Sequence, residues 1–218
     1  MPLQTFFNLP EEKQKVLLDY AIEEFAAHDY DSASISRVVT QVGIAKGSFY
    51  QYFKDKQDLY QYLLQIAIDK KGQMIANSIM PTAEMGIFAT LLWLFKEMAK
   101  FQISFPQLAQ IGYRAINSPS YLPGDVTAKA ATQTRQYFTS LFEKGKKSGE
   151  IRSDVDSEIS AFIFTAALTE LTPYLIEKLG IKNQSQVNTS ENLLPMDKVE
   201  EVFNQIVEVL RLGISSQR

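Results

Sequence analysis

Apolar positions recur along this chain at intervals of three and four, and breakers divide the pattern into about nine helical segments. Asn8 can cap a first helix with Glu11 three residues on, and Pro10 falls in the first turn, where its missing N–H costs nothing. Val16, Leu18, Ile22 and Phe25 carry that helix to the break at His28-Asp29-Tyr30-Asp31. Ser34 caps a second, short helix whose Ile35, Val38, Val39 and Val42 stand at i, i+3, i+4 and i+7, one buried stripe ended by Gly43. A third helix is expected over 45–53, and a long fourth one from Asp55 through Leu59, Leu63 and Ile66 to about residue 80, before Pro81. Further helices are expected over 84–104, 106–117, 122–147, 155–179 and 196–213. The breaks between them are Ser118-Pro119, the Lys146-Lys147-Ser148-Gly149 turn and the Asn/Gln/Ser-rich stretch 180–195, whose length suggests mobility. No run of alternating β-branched residues bounded by hairpin turns stands out, so the expected class is all-α.

The most informative stretch is Ser34 to Phe53, two short helices joined by a glycine-containing turn, which is the bare requirement for a helix-turn-helix. Gly43 can take positive φ and so allow the tight turn. Ile44, Phe49 and Phe53 would lock the second of these helices against Val39 and Val42. Once the two phenylalanines point inward, Lys46, Gly47, Ser48, Tyr50, Gln51 and Tyr52 turn outward or to the margins. Two tyrosines, an amide, a hydroxyl and a lysine on one short face suit phosphates and base edges better than mere solvation. Gly47 weakens the helix by roughly 1 kcal/mol relative to Ala, which suggests that another backbone must come close.

From Gly43 to Leu59, Gly43-Ile44-Ala45-Lys46-Gly47-Ser48-Phe49-Tyr50-Gln51-Tyr52-Phe53-Lys54-Asp55-Lys56-Gln57-Asp58-Leu59 resembles the signature of TetR-type regulators, and the likeness in order and spacing extends over 5–65. The resemblance implies an N-terminal three-helix DNA-binding domain over 1–54 and a larger helical ligand-binding and dimerisation domain over 55–218. It places Lys46, Gly47 and Ser48 at the start of a recognition helix in the major groove, with Gln51 available to read a base and Tyr50 and Tyr52 meeting phosphates. Lys56 matches the family's phosphate-clamping lysine at the N-terminus of the next helix, and Ser36 and Arg37 would approach the DNA backbone or a base edge. Two positions depart from the common pattern: Ala45 stands where a capping Ser is frequent, and Arg37 where an acidic residue often follows.

Charge sharpens this picture only locally. The net charge of −3 gives no global sign of nucleic acid, yet between Ser34 and Lys56 there are four cations (Arg37, Lys46, Lys54, Lys56) against one acid (Asp55). Cysteine is absent and His28 is the lone histidine, which removes disulfides, thiolate chemistry and ordinary zinc sites. No nucleophile–base pair or phosphate-cradling glycine loop is present, so no catalytic residue, metal or cofactor is expected. Without an apolar run of eighteen residues or a signal-like N-terminus, the chain reads as soluble and cytoplasmic, with no membrane partner.

In the second part, large rings at helical spacing fill a core by default. The alternative is a pocket between helices, because polar groups stand among the rings; its candidate residues are Trp93, Phe101, Phe105, Tyr113, Arg114, Asn117, Tyr137, Phe164 and Glu170. Arg114 and Glu170 would select a carboxylate, amine or hydroxyl on an apolar body if they face it, and face solvent otherwise. Between Glu158 and Glu170 the chain is uncharged and apolar nearly all round, too short to cross a bilayer and in need of cover on more than one side. Phe162, Ala166 and Thr169, with Val202, Phe203, Ile206, Val209 and Leu210 of the last helix, are the expected homodimer interface. In the TetR family the last two helices pair in this way. The expected partners are thus a double-stranded DNA operator, a small-molecule effector and a second copy; a helical carrier that no longer contacts DNA is the alternative.

Overall fold

The computed structural model describes residues 1–117, 126–178 and 196–215. Their order is α1 (Gln4–Phe7), α2 (Glu11–Ala27), α3 (Ile35–Val42), α4 (Lys46–Tyr52), α5 (Lys56–Ala76), a 3₁₀ turn (Ala83–Met85), α6 (Gly86–Ser104), α7 (Pro106–Asn117), α8 (Val126–Lys147), α9 (Ser157–Lys178) and α10 (Met196–Ile214). The class is all-α: among the described residues the one β feature is an isolated bridge between Ile151 and Ser215. The expected break at Ser118-Pro119, the first turn of the helix expected at 122 and the stretch 180–195 lie outside the described residues. Packing divides the chain into two compact units, Met1–Gly72 with Gln107–Ala128, and Gln73–Pro106 with Lys129–Arg218.

In the first unit, α3 starts where the Ser34 hydroxyl accepts the Arg37 N–H at 3.4 Å. It stops at Gly43, whose φ of 76° lies in the left-handed region. There the Gly43 N–H bonds the Thr40 carbonyl at 3.2 Å and the Ile44 N–H that of Val39 at 3.0 Å, the two-bond stop that glycine permits. The first helix differs from expectation in two respects. Asn8 follows a separate short helix, α1, and Pro10 rather than Asn8 holds the N-cap position of α2. The buried line of α2 is Leu17, Ala21 and Phe25, with Val16 exposed, because the helix begins at Glu11 and its inward face is fixed by what packs on Phe25.

That packing is aromatic. Phe25 lies 5.1 Å from Tyr60 of α5, and Tyr30 is also 5.1 Å from Tyr60 (ring centroids), so the end of α2, the following loop and α5 meet in one cluster. Burial pushes the Tyr60 phenol up to about 12 against the opposing pull of Arg114. From α7, Arg114 donates to the carbonyls of Phe25 and Ala27 at 3.4 Å each and pairs with Asp29 at 3.6 Å. A cation on the orphan carbonyls of a helix C-terminus is favourable, and it fastens α7 to α2 within this unit.

The second unit is built around Phe164 of α9, which is fully buried with Phe95 of α6 and Phe138 of α8 each 4.7 Å away. Phe203 of α10 stacks on Phe95 at 5.5 Å. The start of α6 is secured by Glu150, whose carboxylate accepts the Ile87 N–H at 2.7 Å and the Ser148 hydroxyl at 2.9 Å. Gly86 makes this possible: its φ is 80°, and a Cβ there would stand 2.3 Å from the capping oxygen. Among the described residues no helix is long and apolar enough to cross a membrane.

Candidate nucleic-acid interface

The geometry of α4 follows from what holds it from behind. Phe49 and Phe53 are both fully buried and stack on one another at 5.5 Å. Phe53 in turn meets Phe6 of α1 at 5.1 Å and Tyr62 of α5 at 6.2 Å. The last carbonyls of α4 are satisfied by the α1 segment, the Leu3 N–H bonding Tyr52 at 2.8 Å and the Thr5 hydroxyl bonding Gln51. Sequence reasoning missed α1, although Phe6-Phe7 just ahead of Asn8 was a signal of an apolar anchor.

With the inner face fixed, Lys46, Gly47, Tyr50 and Gln51 are exposed and Ser48 and Tyr52 half-buried. A Cβ on Gly47 would meet nothing within 4 Å, so nothing within the chain requires a glycine at that position. Tyr50 is 50% exposed with its ring edge-on to Phe49 at 5.2 Å, which leaves the hydroxyl presented on a buttressed ring. At Ala45 the helix has no side-chain cap, as the sequence suggests, and the Ser48 N–H bonds the Ala45 carbonyl at 2.9 Å.

The cations flanking α4 are not equivalent. Lys46 and Lys54 are exposed. Lys56 is half-buried and donates to the carbonyls of Tyr30, Asp31 and Ala33 at 2.6, 3.2 and 3.0 Å, with its ammonium 4.6 Å above the Tyr30 ring. In this arrangement it pins the loop between α2 and α3, and a phosphate at Lys56 would have to displace one of those carbonyls. Ser36 is exposed. Arg37 forks onto Glu24, with Nε 3.0 Å from both carboxylate oxygens and Nη2 2.7 Å from the Ser32 carbonyl, so it ties α3 to α2. Burial alone pushes the Glu24 carboxyl up. The hydrogen bonds from Arg37 and from the Ser34 N–H, with the guanidinium charge, outweigh burial and hold it below 4.5.

Residues 17–63, which contain this helix pair, match the family profile of bacterial regulatory proteins, tetR family, and 85–215 match the tetracyclin repressor-like C-terminal domain. The chain belongs to the TetR family. It is 38% identical to a TetR family transcriptional regulator of Chloroflexus aurantiacus J-10-fl, whose crystal structure covers 99% of both chains with a TM-score of 0.89. The HTH-type transcriptional regulator YhgD of Bacillus subtilis (strain 168) is 24% identical over 158 residues, 70% of this chain and 78% of that protein. The fold also matches FadR of Bacillus subtilis, solved in complex with stearoyl-CoA, at a TM-score of 0.63 and 17% identity over 92% of this chain and 98% of that one. This TetR-family chain is therefore a transcriptional regulator with an N-terminal DNA-binding helix-turn-helix and a C-terminal ligand-binding domain.

The effector residues expected from sequence are distributed over both units of this TetR protein. In the first unit Tyr113 is half-buried, Asn117 is exposed with its amide returned to the Tyr113 carbonyl at 3.0 Å, and Arg114 is committed to the end of α2. In the second, Phe164 is the centre of the core, Phe101 is buried 5.8 Å from half-buried Phe105, Tyr137 is 45% exposed, and Glu170 is exposed. The two charges thus do not converge on an effector in either unit. Trp93 is half-buried and packs against the core of the second unit.

The expected interface residues also divide. Phe162 is 62% and Val209 70% exposed, Ala166 is exposed, and Thr169, Ile206 and Leu210 are half-buried. Val202 and Phe203 turn inward to the chain's own core, because α10 packs that side on α6. In their place Ile159 and Ile163 of α9 and Leu212 of α10, not singled out from sequence, stand exposed.

Proposed function

We propose that this chain is a ligand-responsive transcriptional repressor that binds a near-palindromic operator as a homodimer and is released by a small apolar or amphipathic effector. The observation that carries the reading is the outer side of α4, where Lys46, Gly47, Tyr50 and Gln51 are exposed while Phe49 behind them is fully buried. Lys46 and Gln51 offer donors to base edges. Ser48, Tyr50 and Tyr52 supply hydroxyls for phosphates and sugars, and open space above Gly47 admits a duplex backbone or base. Ser36, Arg37 and Lys56 flank this surface on the side of α2 and α3. Residues 1–54 supply DNA contact, and 55–218 effector binding and dimerisation.

The two-fold partner is proposed to cover Ile159, Phe162, Ile163 and Ala166 of α9 together with Val209 and Leu212 of α10, an apolar surface too large to leave in water at no cost. Two copies would set two recognition helices one helical turn of DNA apart. An effector releases the operator only if it prefers the conformation whose helix spacing mismatches the duplex, and its differential affinity sets the size of the response. FadR is solved in complex with stearoyl-CoA, and a long apolar body likewise suits the ring-rich second unit here. The protein acts in the cytoplasm, on chromosomal DNA.

Selection of random duplexes on the purified protein, followed by mobility shift at two salt concentrations, tests the proposal. An inverted-repeat sequence retained with steep salt dependence is the expected result. Retention of no sequence above background would turn the reading to a helical carrier.

A further inference from the structure

Helix α1 is four residues long, far below the length at which a helix holds in water by itself. It persists because of what it packs on. Phe6 is fully buried, its ring 5.1 Å from Phe53 at the end of α4 and 5.9 Å from Tyr62 of α5. This short segment is thereby wedged where the proposed reading helix ends and the next helix passes behind it.

The end of α4 has unmet needs there. A helix leaves its last carbonyls without donors of its own. The Phe53 N–H still returns to Phe49 at 2.9 Å, but at Phe53 the backbone turns extended, with φ −133° and ψ 138°. The Lys54 N–H goes forward to the Asp58 carboxylate at 3.2 Å, not back to α4. The carbonyls of Gln51 and Tyr52 are taken up by the α1 segment instead: the Thr5 hydroxyl donates to Gln51, and the Leu3 N–H to Tyr52 at 2.8 Å. Thr5 is exposed, and a hydrogen bond open to water adds little to stability. What distinguishes these two bonds is their place, on the backbone of Gln51 and of its neighbour.

We propose that Thr5 and the Leu3 N–H are positioning groups for base reading, setting how deeply the C-terminal end of α4 enters the major groove and so where the Gln51 amide meets a base edge. This rests on the reading of α4 as the helix that contacts DNA and extends it to a segment that need not touch the duplex. Hydrogen bonds to base edges are lost with small displacements, because they weaken steeply beyond normal distance and angle. Two bonds that hold the Gln51 and Tyr52 carbonyls therefore act on sequence choice through Gln51.

The test uses the full chain and the duplex it selects from a random pool. Thr5→Val keeps the branched shape and removes the donor, and Thr5→Ser restores it. Leu3→Pro removes the other donor independently: the φ of Leu3, −73°, is already that of proline, and the ring carbon then stands where the N–H pointed at Tyr52. Leu3→Ala is its control. Thr5→Val is expected to weaken the selected duplex by roughly fivefold, the order of one hydrogen bond, and to relax choice at the same base positions as Gln51→Ala. Leu3→Pro should relax the same positions, while Thr5→Ser and Leu3→Ala behave as wild type. Thermal midpoints of the Thr5 variants should stay within about 2 °C of wild type, as for exposed substitutions. Added to Gln51→Ala, Thr5→Val should cost less than about twofold more, since groups acting through one another are not additive.

Three results would each overturn the proposal: wild-type affinity and sequence preference in Thr5→Val, its full fivefold loss repeated in the Gln51→Ala background, or an equal loss on every duplex with a lowered melting point, which would make α1 a staple of the fold alone. Gln51→Ala by itself tests the underlying reading. Unchanged preference in that variant would remove base reading by α4, whereas altered preference there beside an unaltered Thr5→Val would sink only the role of α1.

Discussion

The outer face of α4 and the outer face of α9 both turn away from the cores that hold them, yet they expose opposite chemistry. On α4 the exposed residues are a lysine, a glycine, a tyrosine and a glutamine; on α9 they include Ile159, Phe162 and Ile163. Both helices are anchored by buried phenylalanines, Phe49 and Phe53 in one and Phe164 in the other. The anchor fixes which side faces out, and the outward residues determine what can cover it. Polar donors on a short helix suit the edges and phosphates of a duplex, whereas apolar area of that density suits another protein surface.

The largest effect is expected from putting the wrong chemistry on α9. In Phe162→Asp the proposed two-fold interface would receive two carboxylates at once, each left without a partner. Dimer dissociation should rise by about a thousandfold, a cost near 4 kcal/mol, and operator retention should fall with it because a monomer holds one half-site. Sedimentation velocity reads the first and mobility shift the second. A dimer that survives the substitution would show that α9 faces solvent.

On α4 the effects should be smaller and should differ in kind from one side chain to the next. Lys46→Ala and Gln51→Ala remove the proposed base-edge donors and are expected to cost about 1–3 kcal/mol on the preferred operator while relaxing the choice at one or two positions. Tyr50→Ala removes the proposed phosphate contact and should weaken all sequences alike. Parallel selections on the three variants separate these outcomes, and identical sequence preferences in all of them would mean that α4 does not read DNA.

Much of this contrast was legible in the sequence. Short helices with strong punctuation, Ser34 before and Gly43 after α3, fix their faces by local rules, and the inward Phe49 and Phe53 follow from spacing alone. The commitments of the cations were not legible. Lys56 is bound by carbonyls of residues 23 to 26 positions earlier, and Arg37 by Glu24 thirteen positions away, contacts that no local pattern encodes. Helix α9 was hard for a different reason. With apolar residues on every side it has no period to read, so the division between core-facing Phe164 and outward Phe162 depends on where α6 and α8 lie. For the same reason Val202 and Phe203, apolar and at helical spacing, read as interface until α6 covered them.

Gly47→Ala sharpens the comparison within α4 itself. The added methyl meets nothing within 4 Å in the chain, and alanine stabilises a helix interior by roughly 1 kcal/mol over glycine. If the glycine serves the protein's own fold, the variant loses stability. If it serves a closely approaching duplex, the variant melts higher and binds operator more weakly. The second pattern is expected, with thermal denaturation and mobility shift moving in opposite directions.

The smallest effect concerns the platform beneath this surface and is read by pH. Glu24 receives Arg37 and the Ser34 N–H, and its carboxyl is held below its ordinary value, so the folded state favours the charged form. Its contribution to stability is complete above 4.5, the unfolded value, and is lost as the pH falls through the lower folded value. Glu24→Gln cannot titrate, so urea midpoints should fall less between pH 5 and pH 3 in the variant than in the wild type. His28 Nε2 lies 4.0 Å from the same carboxylate. Equal acid sensitivity in both proteins would mean that the fork of Arg37 on Glu24 is not what holds α3, and with it α4, in place.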